Sequence, residues 1–170
     1  PFVLEPSQKF IVGSLFGWKK ARVRRFRVAF IEIAKGNGKS PLAAGIGLYM
    51  MMADKESRAE IYSAAVDRGQ ASILFRDAVA MVDQSPALDS RIQRSGGPGR
   101  EFNLADLSTG SLFRPISSES KGRGKSGPRP HCALLDEVHE HPTGAMVEFM
   151  RAGTKGRTQP LVLMITNSGF

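Results

Sequence analysis

With 170 residues, 41% of them hydrophobic and 24% charged, the chain is long enough for one α/β domain with a real core, and no apolar run reaches the length of a bilayer span. A single cysteine, Cys132, excludes an internal disulfide framework and a cysteine-rich zinc site, and reads as buried filler in the run Cys132-Ala133-Leu134-Leu135 of a cytoplasmic protein. The formal net charge of +8 is clustered in Lys19, Lys20, Arg22, Arg24, Arg25 and Arg27, in Lys121, Arg123, Lys125 and Arg129, and in Arg151, Lys155 and Arg157, a distribution that points to contact with a polyanion.

The N-terminus has neither a Met nor the basic-then-apolar pattern of a signal peptide, which suggests a chain that begins after a trimmed segment. Residues 1–20 read as an entry segment, with a helix starting at Ser7, apolar Phe10, Ile11 and Leu15, and a close at Phe16-Gly17-Trp18. Gln8, whose amide both donates and accepts, could with the nearby aromatics read an adenine, although a capped surface helix is the plainer reading from spacing. Val28 to Ile33 is a first central strand. A helix over 40–53 follows, with Pro41 in its first turn and Ala43, Ala44, Gly45 and Gly47 permitting close packing on a sheet. Glu60 to Ala65 is a second strand, and Asp67 caps a helix over 68–83 with Ile73, Leu74, Val79 and Val82 on its apolar face.

Ser95-Gly96-Gly97-Pro98-Gly99 is a turn, and Ser111 to Ile116 is a strand near an edge because of Pro115. Residues 117–130, rich in Ser, Gly, Lys and Arg, are expected to form a mobile basic loop within the one domain. The apolar strand His131 to Leu135 ends in Asp136-Glu137. A helix over 143–152 and a strand over 161–165 complete the chain, the strand ending in the polar groups Thr166-Asn167-Ser168. Strands alternating with helices imply a mainly parallel sheet with right-handed crossovers.

Two stretches carry the chemistry. In Ile33-Ala34-Lys35-Gly36-Asn37-Gly38-Lys39-Ser40 a strand passes through a glycine-bearing turn into a helix. Backbone N–H groups of such a turn, with the unpaired N–H groups of the helix's first turn, point at an anion. Lys39 would reach the β- and γ-phosphates of a nucleotide and the Ser40 hydroxyl would sit on Mg²⁺. About a hundred residues later, Asp136 would hold the Mg²⁺ and Glu137 would orient and deprotonate an attacking water. Thr166-Asn167-Ser168, again at a strand's carboxyl end, suits a sensor of the γ-phosphate. His139, Glu140 and His141 follow the acids with spacing that matches no zinc pattern.

These motifs together resemble the ATPase domain of the large terminase subunit of tailed bacteriophages, over most of the chain. Gln8 with Phe16-Gly17-Trp18 is similar to the family's adenine-binding segment, and Ala34 to Ser40 to its deviant Walker A, with Lys35 where many members carry Arg. Leu134 to His139 is similar to Walker B, and Thr166-Asn167-Ser168-Gly169 to the coupling motif, although many members have Ala where Asn167 stands. The resemblance implies a three-layer P-loop fold of the RecA-like type with a mainly parallel sheet. It also implies an ATPase using ATP and Mg²⁺ to drive double-stranded DNA into a prohead in the cytoplasm of an infected bacterium. Portal and small-subunit partners, and a ring that is active although the isolated domain is monomeric, follow from it as well. The family's nuclease domain lies beyond these residues, and no nuclease role is assigned to them. Arg123 and Arg129, in a loop leading straight into Walker B, are expected near the rim of the site as sources of transition-state charge, with Lys35 as the rival source. The competing assignment is the first RecA-like domain of a superfamily-two helicase, since Asp136-Glu137-Val138-His139 spells a DExH box.

Overall fold

The sheet follows from sequence period. In the computed structural model, which describes residues 2–117 and 127–167 and omits the Arg68 side chain, alternate residues of the central strands enter different cores. Ile61, Cys132, Leu134, Leu161 and Leu163 belong to one apolar cluster, and Tyr62, Ala64, Ala133, Leu135 and Val162 to the other. A strand covered on both faces must be apolar throughout, which is why β8 reads Cys-Ala-Leu-Leu without a polar break.

In chain order the elements are α1 (Pro6–Gly17), a small hairpin of β1 (Lys19–Lys20) and β2 (Val23–Arg24), β3 (Val28–Glu32), α2 (Lys39–Met52), β4 (Glu60–Ala65), α3 (Arg68–Asp83) and α4 (Pro86–Asp89). Next come β5 (Ile92–Ser95), β6 (Asn103–Asp106), β7 (Ser111–Ser117), β8 (Cys132–Leu135), a 3₁₀ turn at Val138–Glu140, α5 (Ala145–Gly153) and β9 (Leu161–Thr166). Seven strands form one sheet in the order β3-β9-β8-β4-β7-β6-β5. The first five named run parallel, while β6 pairs antiparallel with both β7 and β5. One strand, β9, therefore stands between the strand that enters the glycine turn and the strand that ends in the acids.

Helices α2 and α3 pack on one face, and Met146 and Met150 of α5 on the other. The tightest approach is at Gly47 of α2, where an added Cβ would lie 2.8 Å from Phe113 and 2.9 Å from Leu134, both fully buried. Gly45 has no such neighbour, so only one of the two glycines is required by packing. Gly47→Ala is expected to destabilise the domain by roughly 1–3 kcal/mol through overpacking, outweighing the gain in helix propensity. Chemical denaturation checks it, with Gly45→Ala as the comparison that should be neutral or stabilising.

Several sequence expectations shift. The β5–β6 hairpin was not expected: each strand carries only one deeply buried apolar residue, Ile92 or Leu104, and Arg94 is held from outside by Asp83 and Asp89. Strand β7 is not at an edge. Its partner β6 covers residues 111–113 only, so Pro115 sits where β7 has outrun β6 and needs no donor on that side. In α3 the inward face is Ala71, Leu74, Phe75, Ala78, Val79 and Val82, and Ile73 is 51% exposed. Cys132 is buried filler as expected, and burial holds its thiol protonated by raising its pKa.

Candidate functional site

The carboxyl ends of β3, β9 and β8 bring the two motif stretches together. Gly36 and Gly38 have φ of +87° and +68°, left-handed values that a side chain would oppose. Gly38 caps α2, and a Cβ there would also meet Gln8 Nε2 at 3.0 Å. Lys39, 8% exposed, folds its ammonium back onto the loop, donating to the carbonyls of Ile33 (3.1 Å) and Ala34 (3.4 Å) and to Asn167 Oδ1. Asn37 closes the turn by donating to the Ala34 carbonyl. Lys35 and Gly36 are exposed at its tip.

Across the sheet edge, Asp136 is 7% exposed and accepts from the Glu137 N–H at 2.9 Å. Burial, then the charge of Glu137, push its pKa above the ordinary carboxylate value, against that hydrogen bond, the Lys39 charge and the Ser40 hydroxyl. Glu137 has φ +44°, a left-handed backbone that costs a non-glycine residue energy and is commonest where function requires it. Its Oε1 accepts from Asn167 Nδ2 at 2.9 Å. Its Oε2 is buried without a hydrogen bond among the described residues, 3.3 Å from His139 Nδ1.

Asn167 is thus bonded at once to the lysine of one motif and the carboxylate of the other. Thr166, 4% exposed, meets His139 Nδ1 at 2.7 Å. Val138, His139, Thr166, Asn167, Phe30 and Glu32 line a cleft of about 290 Å³ beside these groups. His139, read from sequence as the end of the Walker B-like stretch and as a poor zinc ligand, sits between Glu137 and Thr166. His141 Nε2 lies 3.1 Å from the Asp136 carbonyl oxygen. The structure therefore assembles Lys39, Ser40, Asp136, Glu137, Thr166 and Asn167; Ser168 lies outside the described residues.

Gln8 is also at the loop, but turned inward. It is 5% exposed, accepts from the Glu5 N–H at 3.0 Å and donates to the Asn37 carbonyl at 3.4 Å, so both ends of its amide bind protein. Phe16 packs edge-on against Tyr49, and Trp18 points outward beside Phe26, so Gln8, Phe16 and Trp18 do not converge on one base-sized space. Arg129 is not on the rim. Its N–H donates to Glu60 Oε2 and its carbonyl accepts from Arg157, which places it at the amino-terminal edge of β4 and β8, opposite the acids. A residue preceding a strand whose far end carries the site must lie at the other edge of the sheet, so Arg129 cannot serve the site of its own chain. Arg123 lies outside the described residues.

The basic clusters also separate. Arg24 is 3% exposed and bonded to Asp54 at 2.6 Å, and His131 Nε2 meets the same carboxylate oxygen at 2.7 Å. Arg157 pairs with Glu56 and Glu60, and Arg151 with Glu148. The open positive charge among the described residues of these clusters is concentrated on the β1–β2 hairpin and its flanks.

Comparisons with known proteins agree with this geometry. The large terminase subunit of Enterobacteria phage HK97 is 27% identical over 169 residues, 98% of this chain but 32% of the relative. Its crystal structure superposes with a TM-score of 0.80 at 26% identity, covering 98% of this chain and 33% of the other. The large terminase ATPase domain of Thermus phage P74-26 shares the fold, with a TM-score of 0.63 at 21% identity, covering 99% of this chain and 72% of that one. A large terminase from a thermophilic bacteriophage, solved in complex with ADP, shares it too, with a TM-score of 0.64 at 14% identity and coverage of 95% and 38%. The chain spans about a third of the length of its HK97 relative. The family model for the ATPase domain of the terminase large subunit matches residues 6–170, and the chain belongs to that family.

Proposed function

We propose that this chain binds Mg-ATP at the junction of β3, β8 and β9 and hydrolyses it to move double-stranded DNA into a prohead. The observation that carries this reading is the bridge made by Asn167 between Lys39 and Glu137, which ties the phosphate-side cation to the water-side carboxylate across β9. The loop N–H groups with Lys39 would bind the phosphates, and Glu137 would take a proton from the attacking water. Ser40 and Asp136 offer the kind of oxygen donors that Mg²⁺ accepts alongside phosphate oxygens. That ion would neutralise charge developing on the phosphates. Asn167, bonded at once to Lys39 and Glu137, would let the strand end at Thr166, Asn167 and Ser168 report the state of the site. Gln8, engaged by the loop, would act by positioning Asn37.

Lys39→Ala tests this reading. It is expected to remove ATP hydrolysis and weaken nucleotide binding, because Lys39 is the side-chain cation that, among the described residues, donates to the carbonyls of the phosphate loop. Turnover within a few-fold of the parent chain would overturn it.

The wider assignment is an oligomeric ring, with the isolated domain mostly monomeric, working with a portal or prohead and a small terminase subunit in the cytoplasm of the infected host. Arg129 on the far edge of its own sheet makes a neighbouring subunit its only route to a catalytic site, and Arg123 belongs to the same loop. A subunit carrying Arg123→Ala and Arg129→Ala is expected to regain turnover when mixed with a Glu137→Gln subunit, since the second still supplies its arginines to the intact Glu137 of the first. With assembly confirmed, no recovery at any ratio would point to Lys35 within the subunit or to a loop that only binds DNA.

A further inference from the structure

The segment from Pro6 to Ile31 holds seven Lys and Arg residues and no Asp or Glu. Arg24 is withdrawn from that set by Asp54 and stacks over the Phe16 ring at 4.7 Å, so it anchors the β1–β2 hairpin to the body of the domain. Lys19, Lys20, Arg22 and Arg25 remain exposed around the hairpin. The turn uses Ala21 and Arg22 at φ +50° and +66°, where Gly or Asn would be cheaper, so strain is accepted to keep a cation at the tip. Beside the hairpin lies a cleft of about 420 Å³ lined by Lys9, Phe10, Gly13, Ser14, Trp18 and Phe26. Phe10 is 76% exposed and Trp18 58% exposed. The Trp18 and Phe26 rings lie 6.0 Å apart, and the Arg25 guanidinium sits 5.8 Å from each centroid.

A charged patch alone would serve any polyanion. Large exposed aromatics among cations, on a rigidly anchored hairpin, fit a ligand that is both a phosphate chain and a set of flat apolar rings. We infer that this cleft is a second nucleic-acid site that stacks an unpaired or terminal base on Trp18 while Lys9, Lys19, Lys20, Arg22 and Arg25 hold the flanking phosphates. Paired bases inside a duplex present no face to a tryptophan, so the preferred ligand is a strand with free bases, such as a frayed end. The inference rests on the reading that this chain works on DNA, and it adds where an open strand is held, away from the nucleotide loop.

Trp18 is the only tryptophan of the chain, so its emission reports the cleft directly. Oligothymidylate added to this chain is expected to quench it saturably, with affinity falling as salt rises. Heparin should not quench, nor should closed circular duplex DNA. Binding followed on labelled oligonucleotide should weaken about tenfold or more in Trp18→Ala and be largely kept in Trp18→Phe. Lys19→Glu with Lys20→Glu, both at exposed positions, should weaken it while leaving the emission of the free chain unchanged. Absence of quenching, equal quenching by heparin or circular duplex, or parent-like binding by Trp18→Ala would each overturn the proposal. So would displacement of the oligonucleotide by saturating ATP, which would make the cleft part of the nucleotide site. Turnover measured on the same samples separates the two readings: hydrolysis without quenching removes this site and leaves the motor, and quenching without hydrolysis does the reverse.

Discussion

A Glu137→Gln chain is expected to bind Mg-nucleotide almost as the parent does and to hydrolyse it roughly a hundred- to ten-thousand-fold more slowly, the usual weight of a positioned general base. The amide keeps the oxygen that accepts from Asn167, so the bridge to Lys39 survives and the phosphate loop is undisturbed. What is lost is the basic oxygen, Oε2, which is buried without a hydrogen bond among the described residues. Asp136→Asn should differ, losing Mg²⁺-dependent binding first, because the proposed role of Asp136 is to hold the ion with Ser40, whereas Glu137 is bonded to Asn167 and is proposed as the base. The direction of the pH dependence follows. Burial and the Glu137 charge raise the Asp136 pKa, so on acidification it takes up its proton before an ordinary aspartate would, and Mg²⁺-dependent binding should fall with it and return as pH rises. Fluorescent-nucleotide titrations of both variants across pH check this; identical behaviour of the two would dissolve the division of roles.

Asp54→Ala is expected to destabilise the fold by roughly 3–5 kcal/mol, about 10 °C or more in melting temperature, although Asp54 is nowhere near the site. Its carboxylate is the shared partner of the Arg24 guanidinium and the His131 imidazole, both almost fully buried. Arg24 Nε and His131 Nδ1 are buried without a hydrogen bond among the described residues, so the cluster has little to replace the lost carboxylate. Removing Asp54 leaves a buried cation with no carboxylate beside it, held by the Gln159 carbonyl at its Nη2 and by the face of Phe16. Replacing Arg24 by Met and Asp54 by Leu together should restore most of the loss, because a buried pair can be exchanged for apolar packing while half a pair cannot stand. Thermal unfolding of the single and double variants measures this. A single variant as stable as the parent would show the triad to be energetically idle.

The groups that the fold gathers at the candidate site stood out in sequence because the chemistry proposed for them restricts the residue type: only glycine turns easily at positions 36 and 38, and Lys39, Ser40, Asp136 and Glu137 carry side-chain groups that their apolar neighbours lack. The alternation of β4, β8 and β9 was legible for the same reason, two apolar faces leaving no freedom. Position relative to the sheet was not. Arg24 has the same side chain as Arg22 and Arg25, and only the fold decides that one is buried against Asp54 while the others face solvent. Arg129 precedes the acids by a few residues, but those residues form a strand that crosses the whole sheet. Ile73 and Phe75 differ by a small rotation of α3, which tertiary packing sets. The β5 and β6 strands are too short and polar for period alone to declare them.

That crossing by β8 has a mechanical side. Its four residues are clamped by ladders to β4 on one flank and β9 on the other, and none carries a polar side chain that water could loosen. One end is tethered through Arg129 to Glu60 and Arg157, and the other carries Asp136 and Glu137. From Arg129 to Glu137 the chain can reach at most about 28 Å when fully extended, so it has little slack to take up along the strand. Such an element is stiff along its length, and it joins the Arg129 side of the sheet directly to the carboxylates.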